Sequence, residues 1–304
     1  MDLGVALPTS TPYSSPEAIV RVAQHAEGLG YSAVWTYERL LYALGDVAQA
    51  GGPPRPLPKV YISTYEPIET LSYVAAKTER IKLGTSIVNA PFHVPVVLAR
   101  RFATLDQMSG GRAIAGLGQG WMEEEFQTAN ASRKLRGEGV VEFIQAMRAA
   151  WGPDPVSFEG RHYRIPESRI NPKPKQPGGI PVLLGSLAPP AIERAARVAD
   201  GLNPIAFALE QTETAVKTFR SAAEANGRDP SGLMIVVRAN VPLTADPIPD
   251  GGRPFLGGSA AQVAADLRSL EPLELDQVLL ADVASASLDE ALERLEELRA
   301  AFPA

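Results

Sequence analysis

Four short stretches of this chain gather most of the side chains able to do chemistry. Thr36-Tyr37-Glu38-Arg39 offers a phenol, a carboxylate and a guanidinium, and Ser86-Ile87 with Asn89, Phe92 and His93 offers a hydroxyl, an amide and an imidazole. Gly116-Leu117-Gly118-Gln119-Gly120-Trp121 and Gly185-Ser186-Leu187-Ala188-Pro189-Pro190 are glycine-bearing turns that lead into helical patterns. Glycine lets backbone N–H groups approach an anion, and a helix N-terminus adds a favourable dipole. Glu38 and His93 are the acid–base candidates, histidine being the residue type that titrates nearest neutrality. His93 reads equally well as loop structure. Tyr37, Arg39 and Trp121 are candidates for facing a substrate, and Arg39 could instead anchor its loop by a salt bridge. On spacing alone the turn at 185–190 reads first as an ordinary strand-to-helix connection. The three glycines at 116, 118 and 120 are not the dinucleotide fingerprint, because the third falls one position early.

What is missing narrows the chemistry further. Without cysteine there is no disulfide, thiolate zinc site, iron–sulfur cluster or cysteine nucleophile. The three histidines, His25, His93 and His162, have no metal-ligand spacing, so no metal is expected. Lys82 begins its apolar run, the wrong end for a Schiff-base lysine. Only Glu38 is placed as one of a glycosidase's paired carboxylates would be. A site with glycine turns, aromatic rings and few reactive side chains suits a cofactor that brings its own chemistry.

The elements that must position these residues follow from periodicity. Short apolar runs rich in β-branched residues lie at 3–7, 33–36, 82–88, 113–117, 182–184, 201–205, 233–241 and 277–281. Helical patterns lie between them, at 16–29, 68–78, 94–108, 137–150, 189–198, 211–225, 260–270 and 288–301. Continuous apolar strands separated by helices imply a parallel sheet buried on both faces. Eight such pairs predict a (β/α)8 TIM barrel formed as a single domain over 1–304, with its chemistry where strands end. Residues 40–66, after the second strand, hold Gly51, Gly52, Pro53, Pro54, Pro56 and Pro58 and are expected to be a long loop over the site. Residues 151–179, between the fourth helix and the fifth strand, are a Pro-rich excursion with a small hairpin at Phe158-Glu159-Gly160-Arg161. Trp35 is expected to pack against neighbouring helices, and His25 and His162 to be surface or structural residues. Glu123-Glu124-Glu125 reads as a charged first helical turn that need touch no ligand. In the last helix Leu288, Leu292, Leu295 and Leu298 share a face, and Glu290 is spaced to pair with Arg294.

Composition agrees with a globular chain. Of 304 residues 45% are hydrophobic and 21% charged, and the formal charge is −6. The 29 Lys and Arg are dispersed, so a nucleic-acid partner is not expected. The N-terminus MDLGVALPTS lacks a basic leader, and no apolar run approaches the roughly 20 residues that span a bilayer, so the expected location is the cytoplasm with no membrane contact.

Taken together, several motifs resemble the bacterial luciferase-like superfamily, in particular its deazaflavin (F420)-dependent oxidoreductase branch. They are Thr104-Leu-Asp-Gln-Met-Ser-Gly-Gly-Arg112, Gly116-Leu-Gly-Gln-Gly-Trp121 with Glu125-Phe126, Thr85-Ser-Ile-Val-Asn89, Asp154-Pro-Val-Ser-Phe-Glu-Gly160, Asn171-Pro-Lys-Pro174 and Arg194-Ala-Ala-Arg-Val-Ala-Asp-Gly201. The resemblance covers nearly the whole chain in order. It implies a barrel binding F420 or FMN at its C-terminal face, with Ser86-Ile87 as a non-proline cis bulge behind the tricyclic ring. Asn89 belongs to the same motif. Gly118 and Gly120 match the turn beside the cofactor tail, and Gly185, Ser186 and Leu187 the phosphate turn. Glu38-Arg39 stands where many F420 members carry Asp-His, and Trp121 where the sugar-phosphate dehydrogenases carry a catalytic glutamate.

The resulting expectation is an oxidoreductase that transfers a hydride between F420 and a small organic substrate, with Glu38 or His93 as proton partner. An FMN-dependent monooxygenase using oxygen, and a non-catalytic cofactor-binding protein, are the alternatives. By resemblance the protein is expected to be a homodimer.

Overall fold

The computed structural model describes residues 1–49 and 52–303; Gly51, named above in the long loop, lies outside the described residues. Eight parallel strands form a ring: β1 (Asp2–Ala6), β2 (Ala33–Thr36), β3 (Lys82–Thr85), β4 (Ala113–Gly118), β5 (Val182–Leu184), β6 (Gly201–Leu202), β7 (Met234–Val241) and β8 (Gln277–Asp282). Each pairs with the next, β8 pairs with β1, and β5 pairs back to β4, so the barrel closes. Helices α1 (Pro16–Gly28), α2 (Pro67–Ala75), α3 (Pro95–Ser109), α4 (Glu138–Trp151), α5 (Pro189–Val198), α6 (Leu209–Ala225), α7 (Ala260–Leu270) and α8 (Leu288–Ala301) follow the strands in turn. No helix among the described residues is long and apolar enough to cross a membrane.

Alternation along the strands separates two cores. On β2, Ala33 and Trp35 belong to a cluster with Ile114, Leu183, Val236 and Leu279, while Val34 between them packs in the larger cluster with the helices. Successive strand side chains point to opposite faces, so one set fills the barrel and the other meets the helices. Trp35 therefore does not pack against neighbouring helices, as its bulk suggested; it fills the barrel interior. Its Nε1 donates to Gln277 Oε1 at 2.7 Å. Gly84 makes the space: a Cβ there would lie 2.3 Å from the Trp35 ring.

Three local expectations are revised. The run at 82–88 is broken: β3 stops at Thr85, Ser86-Ile87 is a cis peptide bond, and pairing resumes at Val88–Asn89, which runs beside β4. The run at 201–205 keeps only Gly201–Leu202 as strand, because Pro204 cannot donate to a ladder. In α8 Arg294 pairs with Glu293 and Glu297 instead of Glu290, whose Oε2 accepts from the Ala286 N–H. An N-terminal carboxylate finds free backbone donors nearer than a cation one turn on.

The long loop is more ordered than its composition suggests. Val47–Gln49 pairs antiparallel with Gly52–Arg55, and Lys59–Ile62 forms a 3-10 turn. In the Pro-rich excursion Val156–Glu159 and Arg164–Ser168 make the expected hairpin.

Candidate active site

The strand ends of β2 and β3 bring the two acid–base candidates into contact. Glu38 Oε1 lies 2.6 Å from His93 Nε2, and Glu38 Oε2 accepts from the Asn89 N–H at 2.8 Å. The Glu38 N–H itself donates to the Ile87 carbonyl at 3.0 Å. Glu38 is 3% exposed, and both carboxylate oxygens are engaged. The carboxylate therefore fixes the orientation of the imidazole, and the two groups together make an acid–base pair at the strand ends. Glu66, just before α2, lies close by: burial first, then Glu38 and Glu69, push its carboxyl up.

The Ser86-Ile87 link is held from several sides. Ser86 Oγ donates to Asn203 Oδ1 at 2.6 Å, Asn203 Nδ2 donates to the Val236 carbonyl at 2.6 Å, and Arg238 Nη1 donates to the Ser86 carbonyl. Ile87 rests on two glycines: a Cβ at Gly118 would lie 2.2 Å from Ile87 Cδ1, and one at Gly185 3.1 Å from Ile87 Cγ2. Gly120, at φ +68°, takes a conformation open to glycine, and its N–H donates to Asn89 Oδ1 at 3.0 Å. These contacts put Asn89, Gly118, Gly120 and Gly185 around one shelf at the ends of β3, β4 and β5.

Beyond it, Ser186 is buried and its Oγ has no hydrogen-bond partner, while Leu187 is exposed. Pro189 and Pro190 open α5, so the first turn lacks N–H groups that would otherwise need partners. Arg194 lies one turn further, its Nε buried without a partner. Burial first, and then Arg133 and Arg194, pull the Arg136 guanidinium down from its ordinary value. The unpartnered Ser186 hydroxyl at the β5 turn and the unpartnered Arg194 Nε on the helix that follows are donors of the kind a ribityl phosphate requires, whether that phosphate is a monoester as in FMN or a diester as in F420.

Of the two readings open for Arg39, the structure shows the salt bridge that anchors its loop. Its Nη1 donates to Glu125 Oε2 at 3.0 Å, and Glu125 Oε1 accepts from the Leu40 N–H at 2.9 Å. The three glutamates form the charged first turn of the short helix Glu123–Thr128 as expected, and Glu125 among them is fully buried. Burial pushes its carboxyl up, with Arg39 opposing. The Arg39 guanidinium lies over the Tyr61 ring at 4.9 Å and the Trp121 ring at 5.3 Å. Tyr37 hydrogen-bonds through its hydroxyl to Ser10 Oγ, and burial raises its pKa.

A cavity of about 480 Å³ opens beside Tyr37 and Arg238, with Pro58, Val60 and Tyr61 of the long loop on its border. Arg238, Asn203, Glu66 and Tyr61 were not singled out from the sequence. A charged residue inside the apolar run 233–241 was the available signal for Arg238. Of the other histidines, His25 meets Glu296 at 3.0 Å on the outer surface, and the His162 backbone N–H donates to Glu142. Among the described residues no group of three or more carboxylate or imidazole side chains could hold a metal.

The fold defines a (β/α)8 barrel with its polar residues gathered where the strands end. A family model of luciferase-like monooxygenases matches residues 1–247, and the chain belongs to that family. Among curated relatives, an uncharacterized protein of Mycobacterium tuberculosis is 34% identical over 191 residues, 62% of this chain and 65% of that one. The F420-dependent glucose-6-phosphate dehydrogenase of Amycolatopsis mediterranei is 28% identical over 205 residues, 66% of this chain and 56% of that one. The FMNH2-dependent dimethylsulfone monooxygenase of Pseudomonas putida is 32% identical over 165 residues, 52% of this chain and 44% of that one. The match thus spans less than two thirds of each relative. The solved structure of monooxygenase RslO1 from Streptomyces bottropensis shares the fold at TM-score 0.82, with 22% identity over 99% of this chain and 98% of that one.

Proposed function

We propose that the protein is an F420-dependent oxidoreductase acting on a small organic substrate. The observation that carries the reading is the Glu38–His93 contact beside the Ser86-Ile87 shelf. When bound, the deazaflavin supplies or accepts the hydride. Ser86, Ile87 and Asn89 back its ring, Gly118 and Gly120 form the turn beside its tail, and Gly185, Ser186 and Leu187, with the Arg136 and Arg194 guanidinium groups, hold its phosphate. Glu38 orients the His93 imidazole by engaging its Nε2, which leaves Nδ1 as the ring nitrogen that holds a proton for the substrate. The Asp-His pattern of many F420 members is thus replaced by a carboxylate and an imidazole from two different strand ends. Tyr37, Trp121 and the long loop exclude water over the substrate, and most of the rate would come from positioning. The same proposal includes homodimers in the cytoplasm, which light scattering of the purified protein and cell fractionation would check.

A second reading keeps every residue and exchanges F420 for FMN. The relationship to an FMNH2-dependent monooxygenase favours it, and the phosphate turn serves both cofactors. Absorbance titration of the purified protein with each cofactor separates the two. Saturable F420 binding with weak FMN binding is the expected result; tight FMN binding with none for F420 would overturn the first reading.

A further inference from the structure

We infer that the cavity beside Tyr37 and Arg238 binds an apolar small molecule carrying one anionic oxygen group, a carboxylate or an ionised phenol, with Arg238 receiving that group. The inference rests on the proposed function for its catalytic meaning, since it names the substrate class of the same mouth. The cavity, about 480 Å³, falls in the range of small-molecule sites. Its walls include Val5, Leu7, Val22, Leu243, Leu280 and Leu295, contributed by strand ends and by the helices α1 and α8 behind them. An apolar body displaces water from such walls favourably.

The charges around the mouth identify the head group. Glu38 faces His93, and Arg39 faces Glu125. Asp282, also on the cavity wall, is turned to the backbone: its carboxylate accepts from Leu243 N–H at 3.1 Å, Ala284 N–H at 2.9 Å and Ser285 N–H at 3.3 Å. Arg238 differs. Its partners are the Ser86 carbonyl, Asn240 Oδ1 at 2.8 Å and the Tyr37 ring at 5.3 Å, and it forms no ion pair among the described residues. A half-buried guanidinium with only neutral partners has lost hydration without gaining a counter-charge. An anion entering the cavity restores that balance and gains charge-assisted hydrogen bonds. Burial also draws the Arg238 guanidinium below its ordinary value, as expected of a cation awaiting a counter-ion. Because Arg238 also donates to the Ser86 carbonyl, the head group would be held next to the proposed cofactor shelf.

The test is calorimetric titration of the cofactor-free protein at neutral pH with three probes. These are 1-naphthoate, 1-naphthamide (the same body without charge) and acetate (the charge without the body). Naphthoate is expected to bind at least about tenfold more tightly than the amide, and acetate not to saturate at millimolar concentration. Arg238→Met should erase the preference for the acid, Arg238→Lys should keep part of it, and Leu280→Trp should weaken both aromatic probes by filling the cavity. Equal affinity for acid and amide in the unsubstituted protein, or a preference that survives Arg238→Met, would overturn the inference. Strict competition between naphthoate and F420 or FMN would overturn it too, by giving the cavity to the cofactor. Naphthoate binding with no cofactor binding would instead refute the redox reading and leave this inference standing.

Discussion

The Arg39 guanidinium and the Glu125 carboxylate meet at 3.0 Å with side chains only 9% and 1% exposed, joining the exit of β2 to the short helix after β4. Glu125 also accepts the Leu40 N–H, so one carboxylate ties down both the side chain and the backbone that lead into the long loop. Glu125→Ala is expected to destabilise the protein by about 3–5 kcal/mol, because it leaves a buried guanidinium without its counter-charge. Glu125→Gln keeps an acceptor for Leu40 and should cost less. Urea unfolding of both variants checks the order; equal losses would show that the charge is unimportant.

Loss of the proton-holding pair should slow turnover without emptying the site. His93→Gln is expected to lower kcat by about 10²- to 10⁴-fold, the usual contribution of a positioned acid or base. Glu38→Gln should show the same direction. Cofactor affinity, read by absorbance titration, should stay within a few-fold in the His93 variant. Unchanged kcat there would remove His93 from the mechanism.

Glycines beneath the shelf and the barrel interior make steric predictions. Gly84→Ala would place a Cβ 2.3 Å from the buried Trp35 ring and should cost about 1–3 kcal/mol or more, visible as a lowered Tm. Gly118→Val would drive into Ile87 and should weaken F420 or FMN binding. Normal cofactor affinity in the Gly118 variant would disconnect Ile87 from the cofactor.

Acid should loosen the Pro-rich excursion through Asp154. Hydrogen bonds from Lys173 foremost, then Asn171 and the Ile170 N–H, hold its carboxyl down at about 2. A depressed folded-state value means that the stabilisation is fully present above the unfolded carboxyl pKa of about 3.9 and disappears as pH falls toward about 2. The stability difference between the unsubstituted protein and Asp154→Asn should therefore be constant above about pH 5 and shrink between about pH 4 and 2. Denaturant unfolding across that range measures it. A difference independent of pH would disprove the ionic origin.

Barrel and site differ in how far they can be read from residues in order. Strands 33–36 and 182–184 and helices 189–198, 260–270 and 288–301 emerge with the boundaries that periodicity suggests. The interruption at Ser86-Ile87 came from motif resemblance, since apolar character runs unbroken through it. Trp35 was misplaced because bulk and hydrophobicity do not tell the two faces of a barrel strand apart. Glu125 was undervalued because three consecutive glutamates look alike until the fold buries one of them.

Local pattern thus determined the alternation of strands and helices, the glycine turns and the strand-end positions of Glu38, Ser86, Gly118 and Ser186, because periodicity and turn chemistry act between near neighbours. Only the closed ring decided which of these meet. His93 lies 55 residues from Glu38, and Arg238 lies 152 residues from Ser86. Parallel strands all end on one face, so residues far apart along the chain converge there, and burial and charge pairing then select their partners.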